Sequence, residues 1–412
     1  MKQLKILLSA YSCEPGRGSE PGVGWNIARE VAKYHQVWVL TRPDESKEII
    51  EAELKGNSYP NLNFVYFTLP FWQDSRRWGQ SGAMQLHYYL WQIQAYFVGR
   101  RLDREIGFDL VHHVTFVRYS CPSFLSLLPI PFIWGPVGGG ESAPKPFWQD
   151  FSLRAKVYET VRSLWRWLGE CDPFVSVTIK RSAAIRATTK DTAQRLAKLG
   201  AQAIEIVPES GLAETEIEHL AKYPMPEELP VRFISMGRLL HWKGFHLGLH
   251  AFALANLPNA EYWVLGDGVE AEPLATLAEK LGIATQVKFW GRLSREETLE
   301  KLGKCHVLVH PSLHDSGGWV CVEAMATGRP VICLDLGGPA VQVTEATGLK
   351  ISPVTPEQVV KDLAKAMIRL AEDKELRISM GQAGQKLVST MYSWEARGKY
   401  LAQLYQQVST RS

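Results

Sequence analysis

At 412 residues the chain is long for one hydrophobic core and natural for two domains of about 200 residues each. With 46% apolar and 22% charged residues its composition is that of an ordinary soluble protein. Residues 1–210 hold 25 Lys and Arg against 20 Asp and Glu, a net +5, and the remainder 21 against 23, a net −2; so small a basic excess argues against a nucleic-acid partner but permits an anionic surface near the first half.

The opening MKQLKILLSAYSC has two lysines before an apolar run too short for a targeting segment, and ILLSAY continues better into a first β-strand. The loop YSCEPGRGSEPGVGW then leads into the amphipathic helix GWNIAREVAKY. Gly16 and Gly18 fit the first two positions of a GxGxxG fingerprint, but Pro21 occupies the third, so a tight strand-to-helix turn explains the loop as well as a phosphate does. The apolar runs QVWVLT, NFVYFTL, DLVHHV, PFIWG, IRATT and IEIV follow, alternating with helical patterns. That alternation predicts a parallel α/β sheet wound on both faces. His112 and His113 are adjacent on the fourth strand, where side chains alternate, so only one of them faces a given side. WGPVGGGESAP follows the next strand, and its glycines imply close approach to a ligand or a strained connection.

Residues 78–99 and 119–140 are uncharged for the length of a bilayer, yet the first run is rich in Gln and the second is broken by Pro122, Pro129, Pro131 and Pro136. Six cysteines, Cys13, Cys121, Cys171, Cys305, Cys321 and Cys333, include no CxxC pair and read as buried free thiols of a reducing compartment. A hinge is expected near residues 212–229, where apolar runs give way to acidic residues and to Pro224 and Pro226, with Pro230 just beyond. This places a first domain over 1–211 and a second domain over 212–392, with a last helix over 393–408.

The second half repeats the alternation with VRFISMG, EYWVLG, QVKFWG, CHVLVHP, PVICL and GLKIS. In FISMGRLLHWKGFHLGLHAF, Arg238 follows a buried strand and Lys243 precedes a helix, so both cations stand at one helix start. His246 and His250 are spaced i, i+4, but Leu247 replaces the glutamate of HExxH and no further ligand is suggested, so with His241 they read as packing or surface residues. In HPSLHDSGGWVCVEAMATGRPVICLDLGGPAVQV, a strand ends at Pro311, Gly317 and Gly318 turn the chain, and a helix closes at Gly328. A helix that opens on a glycine pair offers unpaired N–H groups and a positive dipole end to a phosphate or a sugar oxygen. Asp315 precedes the turn, and Glu323 stands eight positions after Asp315.

This stretch resembles the Glu-x7-Glu region of family-4 glycosyltransferases, retaining enzymes that use nucleotide sugars and have the two-domain GT-B fold. The resemblance implies two doubly wound parallel-sheet, Rossmann-like α/β domains facing a cleft. It gives Glu323 the ribose hydroxyls and Asp315 the transferred sugar, although Asp315 is one methylene shorter than the family's usual glutamate. It sets Arg238 and Lys243 on the donor diphosphate beside Gly317 and Gly318, and the base against the backbone near Arg292 and Leu293. In the first half it puts Gly18 at the loop that closes on the diphosphate, Glu20 and Trp25 toward the acceptor, and His113 beside the transferred sugar, with His112 as the alternative.

The activity so implied is transfer of a sugar from a nucleoside diphosphate to a glycan or lipid-linked acceptor, with retention and with no metal or cofactor, the fixed cations offsetting the diphosphate charge. Removing either Arg238 or Lys243 is expected to leave folding nearly unchanged. Two other classes fit less well: a nucleotide-sugar epimerase, which needs no acceptor surface, and a catalytically silent nucleotide-sugar-binding protein, suggested by the substituted Asp315. A cytoplasmic place, peripheral on the inner face of a membrane, is expected from two segments of the first half. FWQDSRRWGQSGAMQLHYYLWQIQAYFVGRR and PFWQDFSLRAKVYETVRSLWRWL hold six of the fourteen tryptophans with seven Arg and one Lys, a mixture suited to anionic lipid, or else Trp91, Tyr96 and Trp165 are core residues of ordinary helices.

Overall fold

A computed structural model of the chain describes residues 2–43, 46–72, 82–227 and 229–410. They divide into two compact units, the first formed by residues 2–140, 161–209 and the segment from Trp394 onward, the second by Glu141–Thr160 and Ser210–Ser393. Residues 141–160, counted with the first domain on sequence grounds, therefore belong to the second unit. Each unit is a parallel sheet covered by helices, which is the doubly wound α/β architecture expected.

The first unit's strands are β1 (Lys5–Ala10), β2 (Gln36–Thr41), β3 (Leu62–Tyr66), β4 (Leu110–Thr115), β5 (Phe132–Val137), β6 (Ser182–Ala187) and β7 (Ile204–Ile206). They lie in the order β3-β2-β1-β4-β5-β6-β7, every pair parallel. Strands covered on both faces cannot alternate apolar with polar, and β4 and β5 are buried throughout. The adjacent histidines show the two faces. His113 meets Tyr88 and Gln92 of the helix Gly82–Ile106, whereas His112 Nδ1 lies 2.6 Å from the Tyr405 hydroxyl of the last helix, Trp394–Thr410. That last helix packs on Ser19–Ala32 at Gly398, where a Cβ would stand 2.4 Å from the Glu30 side chain.

The second unit's strands are β8 (Val231–Met236), β9 (Ala260–Leu265), β10 (Val287–Gly291), β11 (Val307–His310), β12 (Val331–Leu334) and β13 (Gly348–Ile351), ordered β10-β9-β8-β11-β12-β13 and again all parallel. Phe233, Val309 and Ile332 point into one core with Leu249 and Phe252 of the helix Phe245–Ala255 and Val359 and Met367 of Pro356–Glu372. Their neighbours Ile234, Leu308 and Val331 point the other way, onto Val322 and Met325 of the helix Trp319–Ala326. All six cysteines are free thiols; Cys171 is exposed and Cys121 half-buried, which corrects the expectation that all are buried. No helix among the described residues is long and apolar enough to cross a membrane.

Candidate functional site

In the second unit the strand order reverses between β8 and β11, so the loops leaving their carboxyl ends part to either side and leave a crevice, the place where open α/β sheets bind ligands. Both loops are locked there. Trp242 O accepts from Leu313 N at 2.8 Å, and Gly244 has φ +67°, with Pro311 O only 2.0 Å from where a Cβ would stand. A side chain at Gly244 is thus barred both by the left-handed backbone and by the carbonyl.

The crevice brings Lys243 and Asp315 together across 72 residues of chain: Nζ donates to Oδ2 at 2.5 Å. His310 Nε2 lies 3.1 Å from the same oxygen, and because a carboxylate only accepts, that nitrogen carries the proton. Gly318 N–H donates to Oδ1 at 3.3 Å, so Asp315 closes the turn that opens the helix Trp319–Ala326. Burial raises the Asp315 carboxyl, but Lys243 and the His310 hydrogen bond outweigh it and hold the group well below the usual carboxylate range. Burial is also the main effect on His310, pushing its imidazole down and leaving it neutral. Asp315 is therefore an ionised carboxylate with Oδ2 doubly occupied and Oδ1 lightly held.

Around this pair the other predicted residues fall into place unevenly. Arg238, in the same loop as Lys243, is exposed, and its side chain has no hydrogen bond or ion pair among the described residues. Gly317 O accepts from Gln342 Nε2 at 2.5 Å, and Gln342 Oε1 is buried with no donor. Gly318 takes φ +52°, and a Cβ there would meet that same oxygen at 2.3 Å. Glu323, on the next helix turn, is buried, and Arg295 Nη1 donates to its Oε1 at 2.8 Å while Nη2 reaches Glu216 at 2.5 Å. Burial raises the Glu323 carboxyl above its ordinary value, against the pull of Arg295. Arg292 and Leu293 leave β10 in the segment that carries Arg295, so Arg295 ties this stretch to Glu323.

His310, Arg295, Gln342 and Glu141 went unnoticed in the sequence. Glu141 is buried and accepts from Ser316 Oγ at 2.8 Å. Only His310 left a trace, five residues before Asp315 in HPSLHD. The glycines before Glu141 serve packing: a Cβ on Gly140 would meet Thr192 Cα at 2.5 Å, and one on Gly135 would meet Arg186 O at 2.4 Å. His241 and His314 both bind the buried Glu159, at 3.2 and 3.0 Å, and burial pushes His246 down to about 4. No group of three His, Cys, Asp or Glu among the described residues is placed to hold a metal ion.

In the first unit the order reverses between β1 and β4, and the loops after them are joined where Glu20 accepts from Phe116 N at 2.6 Å. Ser19 and Phe116 flank that bond with φ of +61° and +58°, a conformation that costs non-glycine residues energy and persists where the surroundings impose it. Gly18 starts the helix Ser19–Ala32 in open space, with nothing within 4 Å of a Cβ. Trp25, expected toward an acceptor, is instead buried and stacks at 15° on Phe64. His113, expected beside a sugar, is likewise sealed at 0% exposure, its Nε2 among Tyr88, Gln92 and Thr115 O. Burial pushes both His112 and His113 down to about 3, so they are neutral polar links between sheet and helices.

Residues 218–387 match the family model for glycosyl transferases group 1. Over 220 residues, 53% of this chain and 62% of the other, the sequence is 30% identical to the lipopolysaccharide core biosynthesis glycosyltransferase LpsE of Rhizobium meliloti. It is 34% identical over 185 residues to a D-inositol 3-phosphate glycosyltransferase of Corynebacterium urealyticum, covering 42% of each chain. The chain thus spans less than two thirds of these relatives' lengths. A sucrose-phosphate synthase structure from Thermosynechococcus elongatus superposes over 100% of both chains with a TM-score of 0.67 at 18% identity, which establishes the GT-B fold.

Proposed function

We propose that the protein transfers a sugar from a nucleoside diphosphate to a glycan or lipid-linked acceptor, with retention and without a metal. The observation that carries the reading is the Lys243–Asp315 pair, closed onto Gly318 at the crevice between β8 and β11 in the segment that matches the family. When the bond from the sugar to the diphosphate breaks, negative charge grows on the leaving phosphate. Lys243 and the N–H groups opening the helix Trp319–Ala326 are held in place and need no reorganisation to meet it, and the exposed Arg238 adds a second cation in the same loop. Asp315 Oδ1 is free to accept from a sugar hydroxyl, while Oδ2 holds Lys243 in place. Glu323 has Oε1 engaged by Arg295 and keeps Oε2 for ribose hydroxyls.

In the retaining step the acceptor oxygen bonds to the anomeric carbon on the face the phosphate leaves. The acceptor proton passes to the departing phosphate oxygen, so no protein nucleophile is required. A thermal-shift panel of UDP-, GDP-, ADP- and dTDP-sugars tests the reading. A donor at a hundred times its Kd stabilises by about 2.7 kcal/mol, which for a unit of this size is a rise of roughly 5–10 °C. The stabilising sugar is then offered with acceptors and the product's anomeric configuration read by NMR. A panel in which no nucleotide sugar moves the melt refutes the assignment, and an inverted product refutes retention.

A further inference from the structure

The helix Leu153–Glu170 is amphipathic, but it turns its polar side inward and its apolar side out. Inward, Glu159 is 1% exposed beneath His241 and His314, and Arg166 donates to the carbonyls of Gly139 and Gly140 at 3.3 Å. Outward stand Leu153 at 79% exposure, Val157, Val161, Leu164, Trp165 at 62% and Leu168. At 100° per residue the five aliphatic positions share an arc of about 80°, with the tryptophan on its flank. From Leu153 to Leu168 the stripe runs about 23 Å. An apolar band of that length is not left to water without a use.

Its charge says what covers it. The helix has two carboxylates, and both are taken: Glu159 as above, and Glu170 by Arg195 at 2.8 Å and the Tyr119 hydroxyl at 2.7 Å. Arg154 is exposed on the apolar side's edge and Lys156 is half-buried nearby. A second copy pairing through this face would bring Arg154 against a helix with no free carboxylate to meet it. Phosphate headgroups above an apolar layer match both components.

We propose that this face lies in the headgroup region of an anionic lipid bilayer, the helix parallel to the surface. The surface is the second of the two segments singled out in the sequence. In the first, Trp91 is core, Arg100 and Arg101 are exposed, and Arg76 and Arg77 lie outside the described residues. The inference deepens the transferase reading, since it brings the protein to lipid-linked acceptors, but vesicle binding needs no donor and fails or succeeds independently of it.

Co-sedimentation of the full chain with phosphatidylcholine vesicles, with and without phosphatidylglycerol, tests it at low and high salt. Binding rises with the anionic lipid and falls with salt, as an attraction screened over about 10 Å at 0.1 M must. Replacing Leu164, Trp165 and Leu168 together by Gln lowers partitioning at least roughly tenfold with at most a small fall in melting temperature, because each of these side chains is about half exposed or more. Should that variant fold poorly, Trp165→Ala alone gives a smaller loss in the same direction, and Arg154→Gln with Lys156→Gln flattens the salt dependence. Absence of binding at low salt, binding indifferent to these variants, or a dimer in sedimentation velocity that Leu164→Gln splits would each overturn the proposal.

Discussion

Lys243→Ala leaves the Asp315 carboxylate in a site 16% exposed with its only full countercharge gone. Stripping one partner from a buried pair costs about 3–5 kcal/mol, and the low end applies because His310 and Gly318 N–H still hold the carboxylate. For a unit of this size, about 3 kcal/mol is a fall of roughly 6–12 °C in Tm. This revises the expectation that losing either cation leaves folding alone, which assumed two solvated side chains. The pH dependence has a definite sign. Asp315 has a depressed folded pKa, so its contribution is present above the unfolded carboxylate value and is lost as pH falls through the folded one. The gap between wild type and variant is therefore full near neutrality and narrows as the medium is acidified below about pH 4. Adding Asp315→Asn to Lys243→Ala removes the stranded charge and recovers most of the loss. Calorimetric melts of the four proteins of this cycle measure the effect. A single variant that melts within about a degree of wild type at neutral pH refutes the pair.

Arg238→Ala separates charge from stability: turnover falls roughly 100-fold, as loss of one charge-stabilising donor does, while the melt stays put because the exposed side chain has no hydrogen bond or ion pair among the described residues. Glu323→Ala raises donor KM with less effect on kcat, since a ribose contact exists before and during reaction; steady-state kinetics over donor concentration decide it. Exhaustive chelation leaves turnover intact, and loss restored by a divalent ion refutes the assignment of charge neutralisation to Arg238 and Lys243.

The strands were the legible part of this chain. Each of the thirteen strands among the described residues coincides with an apolar run, because the central strands of a parallel sheet bury both faces and cannot hide in an alternating pattern, while the edge strand β10, mostly exposed, is marked by its aromatic residues. The edges were less clear: β6 begins at Ser182 in the small residues SAA, which pair with β5 although they lack the bulk that marks a strand. The loops at the β8 and β11 ends were legible through their glycines. What was not legible was who meets whom. Lys243 and Asp315 are 72 residues apart, and Arg295 reaches Glu323 across 28, so local pattern carries no trace of either pair. The burial of the histidines and Trp25 was hidden for the same reason, since only the packed helices decide that these side chains are covered. The helix Leu153–Glu170 misleads in the opposite sense, its periodicity giving the stripe but not which way it turns.

The last helix sets a timetable for synthesis. The first unit draws on residues 2–140 and 161–209, yet His112 and the groove against Glu30 stay open until Tyr405 and Gly398 arrive. Residues 210–393 emerge in between, and at about 5–20 residues per second that interval is roughly ten to forty seconds. During it the second unit, which has all its segments by Ser393, is free to fold, while the amino-terminal sheet waits with one flank bare. The half of the protein made first is therefore finished last, and a ribosome stalled before Trp394 would hold a nascent chain for a chaperone rather than an early folded domain.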